Sequence, residues 1–378
     1  MNKQHQLLKI KLDARKKSGI LRELRLPGRG IDFSSNDYLG LKDNPKLKAE
    51  AVSLLVDDNL PIGSGGSRLL SGNSTQIEQL ENETAQFFLS EKALFFNSGF
   101  DANLGLFSSV PQKDDIILYD DLVHASIRDG IRLSFARSFS FDHNNLEALE
   151  KKLLMHEGLR IYVAVESVYS MDGDTAPLRD ILKLCLQYGA ALIVDEAHAT
   201  GILGSGGRGL CEQENITDQV FARIFTFGKA LGTHGAAVCG SALLQQYLLN
   251  FSRSFIYTTA LSPFQAGLSL LSLQFLQKYP EMISALWKRI NYFDQQIGEA
   301  GISKWFITGN SAIKCLLTGD REKSQKIAAD LREKGFEVMP VLSPTVAQGS
   351  ERIRICLHAF NSEKEITNLI YQLKKALA

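Results

Sequence analysis

Cysteine is scarce in this chain and follows neither a disulfide nor a ligand pattern. The five cysteines are scattered without a Cys-x-x-Cys pair, and the seven histidines do not cluster at metal-ligand spacing. We therefore expect reduced thiols and no bound metal ion. A charge of one sign is also missing, because 42 basic residues balance 42 acidic ones. This balance argues against nucleic acid or an anionic membrane surface as a partner.

Long hydrophobic runs are lacking as well. The first residues are polar and no apolar stretch follows them, so no secretory signal is expected. No uninterrupted apolar segment is long enough to cross a bilayer. We expect a cytoplasmic protein whose 378 residues, 44% of them hydrophobic, form a large core and two domains.

The apolar pattern divides the chain into three parts. Residues 1–45 predict a charged N-terminal helix, continuing to about Leu26, and an arm that follows the break at 27–30. Residues 46–270 predict a large domain, in which helical stretches such as 76–89 alternate with short buried runs. This alternation indicates an α/β fold with a largely parallel sheet covered by helices on both faces.

Residues 271–378 predict a smaller α+β domain. Its expected elements are a long helical region at 265–300, strands at 311–317, 337–339 and 352–357, and helices at 323–334 and the C-terminus. The strand at 352–357 alternates as a half-buried strand would.

Polar residues follow several of the buried runs, where ligands of parallel sheets bind. The run 190–194 ends in Asp195 and is followed by His198, and Lys229 lies downstream in a glycine-flanked turn with Thr226 before it. A desolvated lysine amine is neutral and can attack a carbonyl. A lysine, an acid and an imidazole at this interval predict a pyridoxal phosphate site, in which the acid keeps the ring nitrogen protonated. Alone, Asp195 could equally be a helix N-cap or a surface acid.

A phosphate cradle is predicted at 97–103, NSGFDAN, where a strand ends and a helix begins. His124 follows another strand; its ring could stack on the cofactor, although by itself a capping role is favoured. Two further glycine-rich segments lie at 63–68 and 204–209. The first lacks the lysine of a nucleotide P-loop, and the second starts too far past its strand for a dinucleotide site, so we interpret it as a flexible loop.

Taken together, these motifs resemble the α-oxoamine synthase family of pyridoxal phosphate enzymes, which have the fold-type-I transferase architecture. The resemblance covers almost the whole chain. It is carried by FSSNDYLGL at 33–41, GSGGSR at 63–68, SMDGD at 170–174, DEAHATG at 195–201 and TFGK at 226–229.

The resemblance implies roles for individual residues. Lys229 would form the imine with the cofactor and move a proton. The other implied catalytic groups are Asp195 at the ring nitrogen, His124 stacked on the ring, and His198. The remaining implied cofactor contacts are Gly99, Phe100, Ser170, His198, Thr226 and Thr258. Either Thr258 or Thr259 could reach the phosphate in a neighbouring subunit. The implied substrate contacts are Arg22, Asn36, His124, Thr345 and Arg354, of which Arg354 would clamp the amino-acid carboxylate.

The implied reaction is a decarboxylating condensation of L-alanine with a pimeloyl thioester in biotin synthesis. The thiol carrier would be coenzyme A or acyl carrier protein, and the enzyme a homodimer with its site at the interface. Between Leu26 and Asp32 the chain is shorter than relatives with a small hairpin there, which bears on the placement of Arg22. A sister activity such as glycine C-acetyltransferase, or a non-catalytic pyridoxal-phosphate-binding regulator, stays open.

Overall fold

The N-terminal helix is shorter than the sequence predicts. The structure is a computed structural model that describes residues 2–24, 26, 28–56 and 58–377. Helix α1 spans Lys3–Lys17, buries no side chain, and ends in a turn at Gly19, where φ is +65°. The predicted continuation to Leu26 is therefore wrong, because the turn stops the helix. Pro27, part of the predicted break, lies outside the described residues.

A seven-stranded sheet forms the centre of the molecule. The short strand β1 (Ile31–Asp32) precedes it, and its own strands are β2 (Lys92–Phe96), β3 (Ile116–Asp120), β4 (Arg137–Phe141), β5 (Ile161–Glu166), β6 (Ala191–Asp195), β7 (Ala222–Thr226) and β8 (Ala236–Gly240). The strand order is β2-β8-β7-β6-β5-β3-β4. Only β8 runs antiparallel to its neighbours, so the predicted, mostly parallel sheet is confirmed.

Helices cover both faces of this sheet. They are α2 (Pro45–Val56), α3 (Thr75–Phe87), α4 (Gly99–Ser109), α5 (Ala125–Leu133), α6 (Leu146–Met155), α7 (Leu178–Gln187), α8 (Leu210–Gln213), α9 (Ala242–Phe251), α10 (Arg253–Ile256) and α11 (Pro263–Lys278). Along β3, Ile116 and Leu118 pack into one buried cluster and Ile117 into another. This alternation places one hydrophobic core on each face.

A second, three-stranded antiparallel sheet forms in the C-terminal part, with the order β11-β12-β9. The elements there are α12 (Glu281–Glu299), β9 (Ile313–Leu317), α13 (Arg321–Glu333), β10 (Phe336–Glu337), β11 (Met339–Val341), β12 (Arg352–Cys356) and α14 (Glu363–Leu377). Strand β1 pairs in parallel with β10, which ties the N-terminal arm to this part of the molecule. The domain boundaries at 45 and 270 stay predictions.

Three expectations for this part need correction. The helical region 265–300 is two helices, because α11 ends before Pro280 and α12 begins after it. The strand at 337–339 is divided at Val338 between β10 and β11. Strand β12 is buried at every residue rather than half-buried, because its arginines bind protein groups. No helix within the described ranges is long and apolar enough to cross a membrane.

The topology brings the chemically important strand ends together. Strands β2, β5, β6 and β7 all run in one direction, so their carboxyl ends share one edge of the sheet. The segments that begin at Asn97, Ser167, Glu196 and Phe227 leave the sheet at this edge. The predicted site residues that follow these strands therefore lie at one edge of the sheet, as ligand sites of parallel sheets do.

A buried ion pair explains one motif to which the sequence assigns no chemistry. The carboxylate of Glu81 on α3 accepts hydrogen bonds from two nitrogens of Arg68, at 2.8 and 3.0 Å, and one from the Phe95 N–H at 2.8 Å. Arg68 closes the GSGGSR segment, so the pair joins that loop to α3 and β2. Glu81 is only 6% exposed.

We predict that Glu81→Ala lowers the free energy of unfolding by about 3 kcal/mol, because it leaves the Arg68 charge without its partner. Urea denaturation of the purified protein measures this change. Glu78→Ala is the matched control, since Glu78 lies exposed on the same helix and its carboxylate binds only Asn73. Equal effects of the two substitutions would contradict the prediction.

Candidate active site

Asp195 is a buried carboxylate held in a fixed orientation at the end of β6. It is 5% exposed, so the alternative of a surface acid is wrong. One oxygen, Oδ2, accepts from the Asn103 amide nitrogen at 2.7 Å, and Oδ1 accepts from the Ala197 N–H at 2.9 Å. The carboxylate is thereby pre-organised to bind a cation.

Lys229 lies in the turn that joins β7 to β8. Its carbonyl accepts from the Gly232 N–H at 2.8 Å, which closes the turn. Burial lowers the pKa of its amine from 10.5 to about 8, against the opposing charges of Asp195 and Glu166. A much larger fraction of this amine than of an ordinary lysine is therefore neutral near neutral pH, and the neutral form is the one that attacks or acts as a base.

His198 is a buried imidazole that joins the N-terminal arm to the sheet. Its Nδ1 lies 2.8 Å from the Tyr38 hydroxyl, which belongs to the 33–41 motif. Burial lowers its pKa well below the usual range, and the charges of Lys229 and Arg354 lower it further. The ring is therefore neutral and hydrogen-bonded on one nitrogen.

His124 begins α5 as its N-cap residue. Its Nδ1 accepts from the Ser126 N–H at 3.2 Å and lies 2.7 Å from the Ser126 hydroxyl, so the capping role is observed. The residue is nevertheless exposed, and a ring can cap a helix and still offer a face to a flat partner. Although the residue as a whole is exposed, surrounding groups partly desolvate its ring and lower its pKa, while the Asp195 charge raises it and that of Lys229 lowers it. The charges of Asp195 and Lys229, which belong to the predicted site, therefore act on His124 as well.

The start of α4 offers hydrogen-bond donors beside Thr226. Ser98 is the N-cap and accepts from the Asp101 N–H, which leaves the first-turn N–H groups of Gly99 and Phe100 without helical acceptors. A Cβ at Gly99 would lie 2.7 Å from the Thr226 side chain, so only glycine fits there. Such a helix start suits a phosphate.

Arg354 is a buried arginine on β12 that reaches toward the large sheet. Its Nε donates to the Ser170 carbonyl at 2.7 Å, and its Nη2 donates to the Asn36 Oδ1 at 2.9 Å. The side chain is thus oriented by both the SMDGD loop and the N-terminal arm. Since its charge also lowers the pKa values of Lys229 and His198, the arginine lies close to both.

Three predicted site residues lie away from this group or in other contacts. Thr258 accepts from the Asn97 amide nitrogen at 3.2 Å, beside the strand end of β2. Arg22 is exposed in the non-helical segment after α1. Thr345 is exposed in a turn closed by its N–H and the Leu342 carbonyl. The structure of this single chain does not bring Arg22 and Thr345 to the Lys229 group.

Glu166, Asn103 and Tyr38 belong to the site, although the sequence assigns none of them a role of its own; Asn103 appears there only in the cradle 97–103 and Tyr38 only in the motif 33–41. Glu166 pairs with Asp195 in the register of β5 and β6, and its Oε1 accepts from the His124 N–H at 2.5 Å. Burial, followed by the Asp195 charge, raises its pKa well above the usual range. Glu166 directly follows the apolar run 161–165, and this position is the signal that the sequence offers. No sequence signal indicates the contact of Asn103 with Asp195.

The loop at 204–209 is more ordered than predicted. Short-range hydrogen bonds join Gly201 N–H to the Gly207 carbonyl and Gly209 N–H to the Leu203 carbonyl. The four-residue helix α8 opens directly from it, although the sequence shows no clear helix at this place. The Glu196 carboxylate already accepts from the N–H groups of Leu210 and Cys211 at that helix start. An internal acid therefore fills the place where a dinucleotide phosphate would bind.

Comparisons with known proteins agree with this geometry. Residues 29–373 match the family model of aminotransferase class I and II. The 8-amino-7-oxononanoate synthase of Emericella nidulans is 39% identical over 365 residues, covering 91% of this chain and 89% of the relative. The crystal structure of the Francisella tularensis 8-amino-7-oxononanoate synthase is 30% identical with a TM-score of 0.79, covering 92% and 98%. A serine palmitoyltransferase from S. paucimobilis, with a bound PLP-myriocin aldimine, is 26% identical with a TM-score of 0.88, covering 98% and 96%.

The chain therefore belongs to the aminotransferase class I and II family, and its relatives are α-oxoamine synthases. The predicted fold-type-I architecture and family are confirmed, and the protein is a pyridoxal-phosphate-dependent acyltransferase. The residues present fit this cofactor. A buried oriented acid, a lysine amine with a lowered pKa, a neutral histidine and a glycine-lined helix start surround one region, as its ring and phosphate require.

We predict that Lys229 of the cofactor-free protein reacts with an amine-specific acylating reagent with a midpoint near pH 8. The neutral, reactive form of the amine increases as pH rises through its folded-state pKa of about 8. Peptide-resolved mass spectrometry after brief labelling at a series of pH values measures the midpoint. In the denatured chain the same lysine should titrate near 10.5, and identical midpoints in both states would overturn the prediction.

Proposed function

We propose that the protein condenses L-alanine with a pimeloyl thioester to form 8-amino-7-oxononanoate, carbon dioxide and the free thiol carrier, in biotin synthesis. Relatives that are named for this activity and match most of the chain support the proposal. The observation that carries it is the buried Arg354, which is held beside Lys229 and His198 where an amino-acid carboxylate can bind.

The cofactor-binding residues would divide by the part of pyridoxal phosphate that each contacts. Asp195 would bind the ring nitrogen, His198 and Ser170 the phenolic oxygen side, and His124 the ring face. The first-turn N–H groups of α4 and the Thr226 hydroxyl would bind the phosphate. When bound, the cofactor supplies an electron sink for the carbon whose proton is removed.

The protein side of the reaction begins with carboxylate recognition. Arg354 would bind the alanine carboxylate in a fork, which fixes the Cα–H bond toward Lys229. The Lys229 amine would then take the Cα proton, because a base with a pKa of about 8 works efficiently near neutral pH. Loss of carbon dioxide follows carbon–carbon bond formation, and the same amine returns a proton to carbon.

The neighbouring acids set the charge of this site. Asn103 holds Asp195 by a hydrogen bond of 2.7 Å, which keeps the carboxylate oriented for a cation. Burial, followed by the Asp195 charge, raises the pKa of Glu166 well above its usual range, which favours its neutral form and reduces the negative charge it adds beside Asp195.

The assembly and carrier belong to the same proposal. The protein would act as a homodimer in the cytoplasm, with Thr258 reaching the phosphate of the neighbouring subunit. Acyl carrier protein and coenzyme A both stay candidates for the thiol, and Arg22 and Thr345 would contact substrate only if the arm and the 342–346 turn close over it. A sister α-oxoamine synthase activity stays a second candidate because the serine palmitoyltransferase structure has a TM-score of 0.88, higher than the 0.79 of the 8-amino-7-oxononanoate synthase structure.

We predict multiple-turnover release of carbon dioxide from L-alanine in the presence of pimeloyl-CoA or pimeloyl acyl carrier protein, and none with Lys229→Ala. A panel of amino acids and acyl thioesters, assayed with each carrier, measures the preference. Preference for glycine with acetyl-CoA would replace the proposed activity by the sister activity. Cofactor binding without turnover on any pair would indicate a regulator.

We predict that Arg354→Gln raises the KM for the amino acid by about 100-fold, because a carboxylate loses its charged partner in a buried site. The KM for the thioester should change little, since the proposal assigns Arg354 to the amino-acid carboxylate and not to the carboxylate at the far end of the pimeloyl chain. Steady-state kinetics with each substrate varied in turn gives both values. Arg289→Gln is the control, because Arg289 pairs with Glu363 on the surface between α12 and α14. An unchanged amino-acid KM would exclude the assigned role.

A further inference from the structure

His143 forms a cationic bridge between two acids beyond the end of β4. Its Nδ1 donates to the Asp120 carboxylate at 2.9 Å, and its Nε2 donates to the Asp174 carboxylate at 2.8 Å. Although burial opposes it, these hydrogen bonds and charges raise the pKa of the ring to about 10. The bridge is therefore protonated at neutral pH, and the imidazolium donates on both sides.

The bridge joins the large sheet to the SMDGD loop. Asp120 ends β3 and is fully buried, whereas Asp174 ends the loop and its side chain is 19% exposed. Asn144 adds to the same connection, because its N–H donates to Asp120 at 2.9 Å and its amide nitrogen donates to Asp174 at 2.8 Å. Asp121 lies near, but both nitrogens of the His143 ring are already engaged by carboxylates, so the ring offers none to a metal ion.

The other side of this loop is fixed by the small sheet. Gly173 has a φ of +78°, and the Ser311 hydroxyl donates to its carbonyl at 2.7 Å. Arg352 on β12 donates to the Met171 carbonyl at 3.2 Å and forms an ion pair with Asp172. The loop is thus held between the two sheets, with His143 supplying the cation on the large-sheet side.

The same loop orients Arg354. Arg354 follows Arg352 by two residues on β12, so both side chains project from the same face of the strand. Its Nε donates to the Ser170 carbonyl at 2.7 Å, and its Nη2 donates to the Asn36 Oδ1. Any displacement of residues 170–174 therefore moves the acceptor that sets the orientation of the guanidinium.

We infer that His143, together with Asp174, is a positioning residue for Arg354: the bridge holds the SMDGD loop so that the Ser170 carbonyl aims the guanidinium at the amino-acid carboxylate. This inference rests on the proposed carboxylate-binding role of Arg354. A fork must be aligned with both carboxylate oxygens to gain from two bonds, so a small rotation weakens it. Loss of the bridge also leaves the buried Asp120 without its cation, which favours rearrangement of the loop.

The test compares four variants of the cofactor-loaded enzyme: His143→Gln, Asp174→Ala, Asp174→Asn and the double variant His143→Gln/Asp174→Ala. The dissociation constant of L-alanine is measured by titration of the cofactor absorbance, and the KM of the thioester by steady-state kinetics. We expect alanine binding to weaken about tenfold in His143→Gln and Asp174→Ala, with the thioester KM unchanged. Asp174→Asn, which keeps an acceptor for the imidazolium, should restore most of the affinity.

The double variant should be no weaker than either single variant, because both remove one shared bridge. His156→Gln is the matched control, since His156 stacks on Phe139 at 4.8 Å, outside the bridge, and should bind alanine normally. Asp174 is partly exposed, so its variants keep the test valid even where His143→Gln fails to fold.

The outcomes separate this inference from the proposed function. Unchanged alanine binding in the folded Asp174→Ala variant, or equal weakening of alanine and thioester, would overturn the positioning role. Arg354→Gln serves as the reference in the same titration. If it too binds alanine normally, the proposed role of Arg354 is wrong and the inference falls with it; if only Arg354→Gln is weakened, the inference alone is wrong.

Discussion

The candidate site depends on the burial of several ionisable groups in one region of low water content. Lys229, Asp195, Glu166 and Arg354 act on one another's charges there, and each charge that is not matched costs several kcal/mol. The structure balances them by lowering the pKa of the amine, raising that of Glu166 and leaving Asp195 with neutral donors. Asp195 then has only neutral hydrogen-bond donors as direct partners, so its charge is available to a charged cofactor ring.

Two sets of elements meet to satisfy this constraint. The carboxyl ends of β5, β6 and β7 supply the acids and lead to the lysine, and they are fixed by the hydrogen-bond register of one sheet. The N-terminal arm and β12 supply Tyr38, Asn36 and Arg354 from the other side. The residues suited to hold a cofactor and those suited to hold a substrate therefore belong mainly to different sets of elements. Their alignment depends on a few contacts, such as Tyr38 with His198.

The sequence predicts the first set well and the second poorly. Asp195, Glu166 and Lys229 follow apolar runs, so their place at a sheet edge follows from the pattern alone. The contact of Asn103 with Asp195 spans 92 positions, and that of Arg354 with Asn36 spans 318, so neither has a local signature. The buried arginines of β12 also mimic the alternation of a half-exposed strand. Similarly, α1 ends early because Gly19 is a stop signal that the charged pattern around it does not reveal.

The long-range contacts also explain why so many polar residues concentrate in the segment 170–174. The segment SMDGD has little apolar side-chain surface to bury, so apolar packing alone cannot fix the position of this loop between the two sheets. Charges and hydrogen bonds from both sides replace that packing: His143 binds Asp174, Arg352 binds Asp172, and Ser311 binds Gly173. Such contacts are directional, unlike apolar packing, so they fix the orientation of the loop as well as its place. A loop that presents a carbonyl to Arg354 needs that precision, because the arginine has to meet a small carboxylate at a defined angle.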